Sequence, residues 1–317
     1  MTIPDENQHW VPKFLIKNFA DADGRVFCLN IQTDRVTKPP PRFAASGAGF
    51  NNFVMDGTAV SYEDRLEKIE TAAAPILNQI VSSRTVAGLT DAQRQKVADF
   101  LATQSFRTEA FYKGFEEQKA RLDFGPIFAT LWRSAFLMAA EILRRQWAVM
   151  VIEHDDVFYL GDNPVVLQHT ETPAAKAELG FDVKGVEAYL PLAPNCALYM
   201  PCASTCHDIT SGYETAARNI HLPELRTAAP SSDLDSLLQL SRRVLKKSGA
   251  LYRALTTGVA LIATAENVEN LNYLQASWAH AAIHSNRRDF AFARRVFREN
   301  PQYRSTVKVR LTAFGGT

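Results

Sequence analysis

Four side chains able to move protons or hold a cation, His9, Glu63, Glu70 and Asp162, stand where the surrounding pattern is otherwise apolar. His9 lies beside Trp10 and three residues before Pro12. A rigid turn there can hold the imidazole against the body of the protein as base, acid or ligand, although a histidine that only caps a short helix would look the same. Glu63 and Glu70 belong to a run in which Leu66, Ile69, Ala73, Ile76, Leu77 and Ile80 recur at helical spacing. At 100° per residue the two carboxylates lie about 20° apart at the edge of one apolar face. Carboxylates against an apolar wall titrate above their usual range, so they can accept protons near neutrality or offer oxygen ligands to a divalent ion. On the next helical run Gln104 and Thr108 fall inside the stripe made by Val97, Phe100, Leu101 and Phe111, with Arg107 on its flank as a natural partner for Glu70. The same pair reads structurally as an ion pair that fixes two helices.

Further on, Asp162-Asn163-Pro164 follows the apolar stretch Val157 to Gly161, and the proline forces Asn163 into an extended conformation. That presents the Asp162 carboxylate at a sheet edge, or folds it into an Asx-turn. Gln275 projects from an apolar helix face, where it can read a substrate or bond a carbonyl. The expectation is one cleft: His9, Glu70 and Asp162 catalytic, Glu63, Glu70 and Asp162 holding Mg²⁺ or Mn²⁺, and Gln104, Arg107, Asn163 and Gln275 touching an anionic substrate. The region from Ser285 onward carries eight Lys/Arg against Asp289 and Glu299, a net charge of +6 within a chain of net +1. There Arg287, Arg288, Arg294, Arg295 and Arg298 interleave with Phe290, Phe292 and Phe297. Helical phase sets Phe290 and Phe297 on one face as anchors and fans the arginines outward, a surface for nucleic acid. His280 and His284 have zinc-chelating spacing but fall opposite Leu271, Leu274 and Trp278, which reads as surface histidines. Cys196, Cys202, Cys206 and His207 lack paired C-x-x-C spacing, so the cysteines read as buried or idle thiols rather than as part of a metal site.

The elements that must position these groups are mainly helical in the front half. A short helix spans Pro12 to Phe19, a second follows Ser61 as N-cap and bends at Pro75, a third runs from Thr90 to about Arg121, and a fourth from Pro126 to near Arg145. A strand is expected at Val26 to Asn30, and a loop from Thr37 to Asn52. Between Gln146 and Met200 the pattern turns β-like: Trp147 to Glu153, Val157 to Gly161, Glu187 to Leu192 and Cys196 to Met200. Helical periodicity returns at Asp233 to Lys247 and Val268 to Ile283, with Gly258 to Ala265 as a buried strand between them and a last strand at Val307, Val309 and Leu311. The fold class is α+β, a helical front half (about 1–145) packed on a mixed or antiparallel sheet from the back half (about 146–317), as one integrated domain.

Gln8 to Asp21, reading Gln-His-Trp-Val-Pro-Lys-Phe-Leu-Ile-Lys-Asn-Phe-Ala-Asp, resembles the opening of the uncharacterised family called domain of unknown function 4238. The resemblance continues through Leu66-Glu67-Lys68-Ile69-Glu70, Gln104-Ser105-Phe106-Arg107-Thr108, Asp162-Asn163-Pro164-Val165, Pro191-Leu192-Ala193-Pro194 and Leu271-Asn272-Tyr273-Leu274-Gln275-Ala276. It implies membership but supplies no reaction. At 46% hydrophobic and 22% charged, 317 residues suffice for a substantial core. The polar, acidic N-terminus has no secretory pattern and the apolar windows are too short for a membrane span, so the expectation is a cytoplasmic protein. The functional expectation is a hydrolase, in sharper form a divalent-metal nuclease; the competing class is a noncatalytic module that binds nucleic acid or protein.

Overall fold

The computed structural model describes residues 7–55, 58–116, 124–170, 179–221 and 232–304. Its frame is a five-stranded sheet in the order β12 (Leu261–Ile262), β7 (Ala148–Val151), β11 (Cys196–Met200), β10 (Val186–Ala193), β9 (Val166–His169). β12 runs parallel to β7 and the other pairs are antiparallel, so the sheet is mixed. Every residue of β7, β10 and β11 is buried, because both faces are covered. The period of two sends Val149, Val151, Leu190, Leu198 and Met200 to one face and Ala148, Met150, Tyr189 and Tyr199 to the other.

The first face packs on α1 (Lys13–Asn18), α2 (Glu63–Ser83), α3 (Asp91–Phe106) and α5 (Phe124–Arg144) through residues such as Leu15, Leu77, Phe100 and Ile142. The second packs on α7 (Ser232–Thr257) and α8 (Ala265–Trp278) through Ala254, Leu271 and Leu274; α6 (Ala203–His221) lies alongside α7. A second, antiparallel sheet has the order β3 (Val36–Thr37), β2 (Phe27–Asn30), β13 (Ala282–Ser285), β8 (Leu160–Gly161). It is covered by α8 and by α9 (Ala291–Glu299), where Phe290 and Phe297 are fully buried anchors. Two small ribbons complete the frame: β1 (Asn7–His9) with β4 (Ser46–Ala48), and β5 (Asn52–Met55) with β6 (Thr58–Ser61). The protein is thus α+β, with front-half strands β2 and β3 joining the sheet of back-half strands.

Several boundaries differ from the sequence expectation. The helix opened by Thr90 stops at Phe106 rather than near Arg121, because Thr108 Oγ1 accepts the Phe111 N–H at 3.2 Å and caps a new helix, α4 (Glu109–Glu116). This break places Arg107 at a helix junction. α2 begins at Glu63, with Ser61 in β6, and passes through Pro75 without ending. The strand expected at Gly258 to Ala265 shortens to a half-exposed edge strand, β12. The helix expected over Val268 to Ile283 ends at Trp278, and the chain turns into β13. The reason is the Asp162 carboxylate, which accepts the N–H groups of His280, Ala281 and Ala282 at 2.7, 2.6 and 2.9 Å, donors that would otherwise continue the helix. The final strand expected at 307–311 lies outside the described residues.

Candidate functional site

The groups expected to share one cleft separate into two clusters. The first forms where β1 meets α2 and the α3–α4 junction. The Arg107 guanidinium, 4% exposed, pairs through one terminal nitrogen with the Glu70 carboxylate and donates through the other to Gln104 Oε1 at 3.0 Å. Gln104 Nε2 in turn donates to the Trp10 carbonyl at 2.7 Å, tying the helix junction to the N-terminal segment. About two turns before Glu70 on α2, Glu63 accepts from Asn51 Nδ2 at 2.6 Å, and the Asn51 N–H donates to Gln8 Oε1 at 2.6 Å. His9 Nε2 lies 3.4 Å from the Pro41 carbonyl oxygen, with Glu70, Lys13 and Arg107 as its charged surroundings. A row of rings borders these groups: Phe50 packs 5.0 Å from Trp10 and 4.8 Å from Tyr112, centroid to centroid.

Burial acts on the two acid–base groups in opposite directions. It lowers His9, outweighing the Pro41 carbonyl and Glu70, which raise it, so the imidazole is neutral at neutral pH. It raises Glu63, against the opposing pull of Asn51 and Arg107. Burial also raises the Tyr112 phenol, which therefore stays protonated and uncharged.

The second cluster joins Asp162, Asn163, Gln275 and His284 at the seam of β8, α8 and β13. Asp162 is 2% exposed, and its three backbone bonds answer the alternatives left open by sequence: the carboxylate satisfies backbone donors from a distant loop. Gln275 Oε1 accepts the Gly161 N–H at 2.7 Å while its Nε2 donates to the Pro164 carbonyl at 3.0 Å. Asn272 does the same for Tyr159 N–H and the Val157 carbonyl, at 2.7 and 2.8 Å. Two helix amides thus replace a missing strand neighbour for residues 157–164. A Cβ on Gly161 would lie 3.0 Å from the Gln275 carbonyl oxygen, so that approach suits glycine. Asp162 and Gln275 are therefore corrected from catalytic, metal and substrate roles to a structural one, and Asn163 lies buried beside Asp162. His280 and His284 are likewise corrected: neither is on a helix, and they are 2% and 1% exposed rather than superficial. His284 Nδ1 lies 3.0 Å from the Leu160 carbonyl, and burial lowers its pKa against the pull of Asp162.

Among the described residues no three His, Cys, Asp or Glu side chains converge as a cation site. Glu70 is committed to Arg107 and Asp162 to backbone donors, so the set Glu63, Glu70 and Asp162 does not fit Mg²⁺ or Mn²⁺. The arginines around α9 point outward as phase required, yet three are engaged: Arg287 with Asp155, Arg294 with Asp34 and Arg295 with Glu269, at 2.8 to 3.2 Å. Their charge is largely balanced on the surface, leaving Arg288 and Arg298 without a carboxylate partner among the described residues. Sequence reasoning missed Asn51, Phe50 and Tyr112, because loop and aromatic residues without periodicity give no signal of what they will face. Gln8 stood inside the opening landmark and was readable only as part of it.

The fold is that of an α+β protein with a largely buried polar cluster at its N-terminal side, and among the described residues no helix is long and apolar enough to cross a membrane. The chain belongs to the family described as protein of unknown function (DUF4238), whose profile matches residues 7–123 and 133–289. Searches of curated proteins and of solved structures each returned no match.

Proposed function

We propose that this chain is a cytoplasmic hydrolase in which His9 is the general base and Glu63 the general acid. The observation that carries the reading is the gathering of His9 and Glu63 about one buried Glu70–Arg107 pair, where burial lowers the imidazole and raises the carboxyl group so that their titrations move towards each other. With Nε2–H directed at the Pro41 carbonyl, His9 Nδ1 keeps its lone pair and takes a proton from water as the water oxygen attacks the substrate. Glu63, with Oε2 held by Asn51 and its titration raised by burial, is the group placed to pass a proton through its other oxygen to the leaving group. Arg107, fixed between Glu70 and Gln104, is a positioning residue. Its charge is already compensated, which favours a neutral substrate over the anionic one expected from sequence. No step in this reading runs through a metal ion.

The test is a panel of p-nitrophenyl esters, p-nitroanilides, p-nitrophenyl phosphate and a single-stranded oligonucleotide, assayed with the wild-type chain, His9→Ala and Glu63→Gln. One neutral ester or amide should be turned over, and each variant should lose about 100-fold or more, the usual contribution of general acid–base catalysis, while its melting temperature stays near wild type. Turnover that survives both substitutions, or none on any substrate, refutes the reading.

A further inference from the structure

Three buried side-chain atoms of the same cluster have no hydrogen-bond partner among the described residues: Trp10 Nε1, Asn51 Oδ1 and Arg107 Nε. Asn51 is fully buried and Arg107 nearly so. Buried polar atoms left unmade are rare and costly, so several on contiguous residues mark a place where something else completes the bonding. The contiguity is visible in the bonding. Gln104 links the Trp10 carbonyl to Arg107, Asn51 holds Glu63, and Glu63 lies within the electrostatic reach of Arg107. Phe50, the sequence neighbour of Asn51, touches both Trp10 and Tyr112.

The unused capacity is two N–H donors and one carbonyl acceptor, beside a row of three rings. An anion gains little here, since the guanidinium is already paired with Glu70 and Glu63 adds a second carboxyl group. A neutral group that accepts twice and donates once is the complement. Resting on the acid–base reading above, we propose that the substrate class of this site is a neutral carboxamide bearing an apolar or aromatic group. The amide oxygen accepts from Trp10 and Arg107, the amide N–H donates to Asn51 Oδ1, and the apolar group lies on the Trp10–Phe50–Tyr112 row. Hydrolysis then forms a C–O bond from water and breaks the C–N bond, with one proton passing to His9 and one from Glu63 to the departing amine.

Binding is measured apart from turnover by calorimetric titration of the full chain with benzamide, benzoate and methyl benzoate, which differ in charge and in the N–H. Benzamide should bind about 10-fold or more tightly than either comparator. Trp10→Phe, which keeps a ring and removes the indole donor, should weaken benzamide about 5- to 10-fold, the loss of one hydrogen bond. Melting temperature reports whether that variant is folded, and Lys96→Ala, at an exposed position of α3 outside the cluster, should leave benzamide binding unchanged. A preference for benzoate, equal affinity for all three, or no binding by any, as when trapped water alone completes these atoms, overturns the proposal. Benzamide bound as described by a chain that turns over nothing in the panel would sink the hydrolase reading and leave the ligand class standing.

Discussion

Glu70→Ala isolates the interaction that joins α2 to the α3–α4 junction in the N-terminal cluster. In the wild type the Arg107 guanidinium is 4% exposed and has the Glu70 carboxylate as its ionic partner, while the Glu70 side chain retains 24% exposure. Breaking a fully buried pair costs ~3–5 kcal/mol because a charge is left stranded. Water reaching Glu70 screens part of that interaction, which lowers the expectation to about 2–4 kcal/mol. With an unfolding entropy of ~2.1 cal/mol/K per residue over 317 residues, a loss of ~3 kcal/mol lowers the melting temperature by about 4–5 °C. Arg107→Met removes the charge but leaves Gln104 Oε1 without its donor, so it should cost about 1–3 kcal/mol. The double variant Glu70→Leu/Arg107→Met should recover part of the sum, with a coupling energy of ~1–3 kcal/mol in urea titrations. Singles within about 0.5 kcal/mol of wild type, or a strictly additive double, would refute the claim that this pair holds α2 against the α3–α4 junction.

Two other expectations concern the second cluster. Asp162→Ala removes the acceptor for three backbone N–H groups and should destabilise the fold by roughly 3–5 kcal/mol, with Asp162→Asn losing about half as much by urea denaturation; a neutral effect would show that water replaces the carboxylate. The lowered pKa of buried His284 means the unfolded chain binds a proton that the folded chain resists. Stability is therefore complete above the unfolded histidine value of about 6.5 and falls as pH drops through the folded value, with a slope approaching ~1.4 kcal/mol per pH unit. His284→Gln should flatten the loss of melting temperature between pH 7 and pH 5, and equal slopes for variant and wild type would contradict the assignment.

What the sequence by itself determined follows from periodicity and local chemistry. The β-prone residue types of β7, β10 and β11, the helical phase of α2 and α3, and the anchoring of Phe290 and Phe297 are all local, so they read directly from residue type and spacing. Pairing of Glu70 with Arg107 was also legible, since both face the seam between consecutive helices. Tertiary structure decided which polar residues meet. Asp162 and Gln275 carry the same chemistry as Glu63 and Gln104, yet they are spent on backbone atoms of residues 157–164 and 280–282, because the short pairing of β8 with β13 leaves backbone groups of those segments over and buried N–H and C=O groups must be paired. The same accounting ended α8 at Trp278 and drew His280 and His284 into the interior. The N-terminal polar cluster arose the same way. Asn51 and Tyr112 join His9 and Glu63 only when a ribbon, a helix and a helix junction close on one point, and no spacing along the chain encodes that distance.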